Sequence, residues 1–373
     1  MLALKQKIAK GQWKPISDNN EVEPKDGYDV ISTIDVNIQD IAHHALLKQL
    51  EYFEADHGTV VVMETKTGEI KAMSNLGRTE TGTYFEKRNY AVYESHEPGS
   101  TFKLMAMTAA LEDGVIDTSS VIDTENGVVR YYGRPVRDSR HGGYGKISAA
   151  KAFEVSSNTA FTKIITEGYK DNPAKFVDKL YDMGLNSKIG LDIKGEGSPR
   201  IPHPKDKNWN GLSLPWMAFG YGVSITPLQT LNFYNAIANN GEMVKPRFIK
   251  EVKEWDKSIL KVEREVMNPR ICSPETAKKL QKMMQQTVEK GTAANIYTPN
   301  FSMAGKTGTC QVEYWIEPGR YISSFAGYFP AENPKYSCIV IIHKPNKRKG
   351  YYGNIVAAPV FKQIAQKIYT DTP

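Results

Sequence analysis

Apolar residues in this chain come in short runs whose period changes along its length. Thr59 to Met63 and Glu69 to Met73 read as strands, and Lys66-Thr67-Gly68 between them reads as a hairpin turn. A second strand group extends from Gly308 to His343 and includes the runs Gly308 to Trp315 and Ser337 to His343. Between Ser100 and Lys290 the pattern turns helical, and one more helix is predicted around Ala358 to Tyr369. Thr101 to Leu111 is apolar nearly all round, as a helix enclosed within a domain must be, and Asp113-Gly114 ends it. Thr226-Pro227-Leu228-Gln229 predicts a capping box with proline at the first helical position, and Asn240-Gly241 the stop of that helix. The two strand groups, far apart in sequence, must share one sheet, with the first and last helices packed on it. The helices between them make a second lobe. The fold class is α/β (α+β).

Composition narrows the functional classes. The 373 residues, 40% of them hydrophobic, suffice for one large core or two adjoining ones. A formal charge of +6 is too diffuse to indicate a nucleic-acid partner. The densest basic run, Lys344 to Lys349, reads as a solvated loop, with contact to anionic glycan or lipid headgroups as the sharper alternative. The three cysteines, Cys272, Cys310 and Cys338, form neither an even set nor a metal spacing, and the seven histidines lack a zinc pattern, so no metal and no cofactor are expected. No apolar run is long enough to span a membrane and no signal-peptide pattern opens the chain, so as given it is expected to be soluble.

Three short patterns carry candidate chemistry: Ser100-Thr101-Phe102-Lys103, Ser156-Ser157-Asn158 and Lys306-Thr307-Gly308-Thr309. Each has competitors. Ser148 to Lys151 and Ser258 to Lys261 also fit the first pattern, Ser17 to Asn19 the second and Lys66 to Gly68 the third, but these read as caps, turns or solvated charge. Ser100, after Pro98-Gly99, stands at the first turn of the enclosed helix, where free backbone N–H groups and the helix dipole favour a developing oxyanion. Lys103 lies on the same helix face, and its amine is a base only if desolvation or a neighbouring cation, with Lys306 as the candidate, lowers its pKa. Ser156 and Asn158, two apart, can face one cleft while Ser157 caps or packs. Thr307 and Thr309 offer two hydroxyls to a carboxylate from an edge strand able to pair with an extended peptide, and Gly308 permits close approach.

In this order the three patterns resemble those of penicillin-binding proteins and class A β-lactamases. The likeness extends from about Gly27 to the C-terminus, through Ser32-Thr33-Ile34-Asp35 followed by Gln39, Gly58 to Met73, Glu97 to Lys103, Gly220-Tyr221-Gly222, Thr226 to Gln229, Ala238 to Gly241, Gly291-Thr292-Ala293, Gly305 to Thr309, Ser324 to Gly327 and Ala358 to Phe361. On these residues the chain is similar to the transpeptidase module of class B penicillin-binding proteins. The resemblance implies an antiparallel sheet flanked by helices plus a helical lobe. It assigns about 27–95 and 295–373 to the sheet lobe and about 96–294 to the helical lobe, with 1–26 as an arm left from a pedestal or linker. It implies Ser100, Lys103, Ser156 and Lys306 as catalytic residues and Asn158, Thr307, Gly308 and Thr309 as substrate-binding ones.

The implied reaction is serine acyl transfer from a peptidoglycan stem peptide ending in D-Ala-D-Ala, with backbone N–H groups of Ser100 and Thr309 holding the oxyanion and β-lactams trapping Ser100. Implied partners are a glycosyltransferase and division proteins, through N-terminal regions of a longer chain at the periplasmic face of the inner membrane. Gly220-Tyr221-Gly222 is closer to the septal type than to the elongation type, which tends to carry glutamine at the middle position. A β-lactamase-like hydrolase and a β-lactam sensor remain as alternatives on the same fold. Against the first, Gly190 to Ile201 contains Glu196 but no Glu-x-x-x-Asn pattern. Cys310 departs from the alanine usual after Lys-Thr-Gly-Thr, and reads as a small buried hydrophobe.

Overall fold

The computed structural model describes residues 5–7, 13–15, 26–313 and 319–371. The Ser17 to Asn19 pattern, nearly all of the expected 1–26 arm, and Tyr314 and Trp315 at the end of the predicted strand lie outside the described residues.

Contacts divide the chain into two units. The smaller, Met1–Ser32 with Ile249–Glu263, holds a three-stranded antiparallel sheet of β1 (Asp29–Ser32), β5 (Ile249–Glu254) and β6 (Lys257–Lys261), with β5 central. Ser258 and Lys261, which mimic the Ser-x-x-Lys pattern, are exposed strand residues here.

The larger unit, Thr33–Phe248 with Arg264–Pro373, is built on a six-stranded antiparallel sheet. Its strands are β2 (His57–Glu64), β3 (Ile70–Arg78), β4 (Tyr84–Glu86), β7 (Ala304–Val312), β8 (Arg320–Phe329) and β9 (Tyr336–His343), in the order β7-β8-β9-β2-β3-β4. β2 and β9 join the two groups predicted from sequence, with His57 opposite His343 and Glu64 opposite Tyr336. Both faces of this sheet are covered, so its strands read as near-continuous apolar runs. Val60 and Val62 of β2 point into one hydrophobic cluster and Val61 and Met63 into another, and Val340 and Ile342 alternate with Ile339 and Ile341 in β9. The first cluster is completed by α1 (Val36–Phe53) and α7 (Ala358–Asp371), the first and last helices.

The other face carries the remaining helices, among them α2 (Lys103–Glu112), α3 (Ala149–Glu154), α4 (Asn158–Tyr169), α5 (Pro227–Ala238) and α6 (Pro274–Glu289). α2 is enclosed from Lys103 to Ala110, as its sequence requires. The capping box of α5 is complete: Gln229 N donates to Thr226 Oγ1 at 3.1 Å, and Thr226 N donates to Gln229 Oε1 at 2.9 Å. Ser148 caps α3 and Lys66-Thr67-Gly68 turns between β2 and β3, so both remaining mimics have plain local roles. Strand β7 begins at Ala304, four residues before the predicted start. The apolar pattern could not show this, because Lys306 and Thr307 are polar residues that this fold buries.

Candidate active site

Four elements of the larger unit converge on one cleft. Ser100 lies in a 3-10 turn, Gly99–Phe102, that runs directly into α2, so the nucleophile candidate sits just before the α-helix and not within its first turn as predicted. The turn is pressed against its neighbours: a Cβ on Gly220 would lie 2.1 Å from Gly99 O, and Gly220 has a φ of +87°. Glu97, just upstream, accepts from Gly222 N at 2.8 Å. Burial raises the Glu97 pKa, against the lowering effect of that N–H and of Cys310.

Lys103, one turn on, is fully buried. Its Nζ lies 3.1 Å from Ser100 Oγ, 3.1 Å from Ser156 Oγ, 2.7 Å from Ser156 O and 2.7 Å from Asn158 Oδ1. Desolvation draws its pKa down to about 7, against an opposing pull from Asp138. Lys306, also fully buried on β7, donates to Ser156 Oγ at 2.8 Å and to Thr307 O at 3.1 Å. Its pKa falls well below the usual range, first through burial and then through repulsion from Lys103. Of the two causes expected for Lys103, desolvation or a neighbouring cation, burial is the one at work, and the repulsion between the two amines falls on Lys306.

Ser156 thus stands between two amines. Its φ of 57° is left-handed, an uncommon conformation for serine that turns its hydroxyl back over α2. Ser157 caps α4 through Ala160 N at 3.1 Å, and Asn158 Nδ2 donates to Arg137 O at 2.9 Å. Asp138 organises this corner, and no pattern in the sequence pointed to it. Its carboxylate accepts from Ser157 Oγ at 3.1 Å, from Thr159 N at 3.0 Å and from Thr159 Oγ1 at 2.7 Å. Its only sequence cue was a carboxylate among glycines and arginines in Arg134–Gly145.

The cleft above these groups has a volume of about 850 Å³. Ser100, Ser156, Asn158, Thr307 and Thr309 line it, as do Tyr221, Tyr321, Tyr351 and Tyr352. Thr307 Oγ1 is 2.7 Å from Thr292 Oγ1, and Thr309 Oγ1 accepts from Gly353 N at 3.0 Å. Strand β7 forms the sheet edge, as predicted, and Gly308 lets it close up: a Cβ there would lie 2.2 Å from Ser324 Oγ. All eight residues singled out from sequence therefore meet in one place or on the strand that walls it. Cys310, on that same strand, is buried, and burial pushes its thiol pKa upward.

Residues 58–366 match the penicillin-binding protein transpeptidase domain family. The chain belongs to that family. It is 29% identical over 368 residues to the stage V sporulation protein D of Bacillus subtilis, an alignment covering 95% of this chain and 56% of that protein. The chain thus spans about half the length of the curated relatives it matches. Among solved structures, the TP domain of penicillin-binding protein 3 from Burkholderia pseudomallei superposes with a TM-score of 0.76 at 26% identity, covering 92% of this chain and 97% of that one. Penicillin-binding protein 3 from Mycobacterium tuberculosis, complexed with aztreonam, gives 0.80 at 29% identity, covering 93% and 80%. The penicillin-binding transpeptidase fold is thereby shown, with its antiparallel sheet and flanking helices.

Proposed function

We propose that this chain is a serine D,D-transpeptidase module that cross-links peptidoglycan and is acylated by β-lactams. The observation that carries the reading is Lys103 Nζ, desolvated and equidistant at 3.1 Å from the hydroxyls of Ser100 and Ser156. With a pKa near 7 the amine is substantially neutral at physiological pH and takes the Ser100 proton as Oγ attacks the penultimate D-Ala carbonyl. Backbone N–H groups of Ser100 and Thr309 hold the resulting oxyanion. Ser156 passes the proton to the departing D-Ala amine. Thr307, Thr309 and Lys306 receive that residue's carboxylate, while Asn158 orients Lys103 and the donor peptide. An acceptor amine from a second stem then attacks the ester, the cross-link forms, and Ser100 regains its proton.

The hydrolase alternative has less support. Glu196 is engaged by the backbone N–H groups of its own loop, at Ile189, Gly190 and Leu191, and lies outside the residues lining the cleft. Among the described residues Asp138 is the carboxylate that lines the cleft, and it is engaged by Ser157 and Thr159 and not held free to activate water at the ester, so a penicillin adduct is expected to be long-lived. The names of similar proteins include a sporulation protein and a peptidoglycan D,D-transpeptidase FtsI, which favours a septal role, as does Tyr221. The substrate locates the reaction on the periplasmic face of the membrane, with glycosyltransferase and division proteins as partners of the longer protein. Among the described residues no helix is long and apolar enough to cross a membrane. Residues 27–373 form the transpeptidase domain in this reading, and 1–26 its arm.

Intact mass after incubation with benzylpenicillin tests the assignment. One adduct per chain is expected, absent in Ser100→Ala. An adduct that persists in the variant, or hydrolysis at many turnovers per second by the unaltered chain, overturns it.

A further inference from the structure

Away from the cleft, at the end of the two central strands, the fold gathers polar side chains that the reaction does not use. His57 opens β2 and His343 closes β9, and the two are cross-strand partners with rings stacked at 4.0 Å. Glu94, just after the short helix Tyr90–Tyr93, reaches both: its Oε2 lies 2.8 Å from His57 Nε2 and 3.5 Å from His343 Nε2. The three ligand atoms all fall within 4.8 Å of one another. A tetrahedral ion with bonds of ~2.0–2.1 Å sets its ligands ~3.3 Å apart, between the two separations to Glu94.

A further observation points to a cation. Asp56 Oδ2 lies 3.2 Å from His57 Nδ1, the outer carboxylate that orients a metal-binding imidazole. His96 packs its ring edge-on against His343, with centroids 5.3 Å apart. We propose that His57, Glu94 and His343 form a binding site for one divalent ion of the zinc class, with Asp56 as outer partner of His57. Two imidazoles and one carboxylate suit zinc, and leave a fourth position for water. The imidazole planes of His57 and His343 are 23° from parallel, so His343 turns about its side-chain bonds to aim its nitrogen at the ion. His57 is fixed between His343 and Tyr90, whose ring lies 4.2 Å away.

Burial alone would lower His57, but the carboxylates of Asp56 and Glu94 overcome it and raise its pKa, whereas burial and the neighbouring His57, His96 and Lys344 keep His343 neutral. The groups facing the site are Asp56, Glu94, His96, Lys344 and Tyr90. The ion would tie the sheet end to the segment Glu94–Glu97, which leads directly to Ser100.

The test titrates the chelator-treated full chain with zinc chloride by calorimetry, and with cobalt chloride by visible absorption. One equivalent of zinc, a tetrahedral cobalt band and a raised Tm are expected for the unaltered protein. Glu94→Gln should weaken zinc by more than the roughly 10–100-fold that losing an outer partner such as Asp56 costs. Far-UV circular dichroism and a cooperative thermal transition check that Glu94→Gln is folded. Failure of the unaltered protein to take up zinc, or equal uptake by folded Glu94→Gln, overturns the proposal. Neither result bears on the role of Ser100.

Discussion

A lysine at the surface is protonated at neutral pH and useless as a base. Lys103 differs because it has no water around it, so burial lowers its pKa, and the hydroxyls of Ser100 and Ser156 both lie within 3.1 Å of its nitrogen. Acylation should therefore rise about tenfold per pH unit below 7 and level off above it, since the reactive form is the deprotonated one. A stopped-flow pH profile of penicillin acylation checks this, and a rate independent of pH between 5 and 8 would contradict it. Lys103→Arg places a permanent cation there and should slow acylation roughly 100- to 10,000-fold. Asp138→Asn has a subtler effect. It removes the charge that holds the Lys103 pKa up, so the midpoint of the profile should move to lower pH. It should also cost about 1.5–3 kcal/mol in a denaturant titration, through the weakened bonds to Ser157 and Thr159. The motif residues were legible because their spacing is local, whereas Asp138 acts across a loop and left no pattern. The histidine cluster was hidden for a stronger reason: positions 57, 94 and 343 have no spacing relation that a sequence could display.

The elements hold the site by close approach of backbones. A Cβ on Gly353 would meet Gly308 O at 2.3 Å and Ser324 O at 2.5 Å, and Gly353 N donates to Thr309 Oγ1. Gly353→Ala should thus push β7 outward, destabilise the protein by about 1–3 kcal/mol and slow acylation while leaving the pH midpoint in place. Thermal unfolding and adduct formation measured side by side separate the two effects. Thr226→Ala provides the contrast: it deletes one half of the α5 cap, and should cost about 0.5–2 kcal/mol with little change in acylation. Helices with caps and strands buried on both faces were readable because each carries its own local cue. The start of β7 was not, since its lysine and threonine are polar and become buried only when the fold supplies their partners.

At the scale of the whole molecule, the sheet is closed in the middle by its most distant segments, and the site sits at the edge strand β7, with β8 between it and that closure. β2 and β9 pair from opposite ends of the chain, while the Ser100 turn and the Ser156 corner come from the helices between them. Two strand groups sharing one sheet could be inferred from sequence, because neither alone could cover its apolar faces. The order of strands within it could not, because register depends on pairing across that separation. During synthesis, the segment bearing residue 100 leaves the ribosome long before the strand bearing residue 306 or the one ending at residue 343. A chain halted short of Ala304 lacks Lys306, Thr307 and Thr309 and the strand that walls the cleft, and is expected to form no adduct with benzylpenicillin until those C-terminal strands are added.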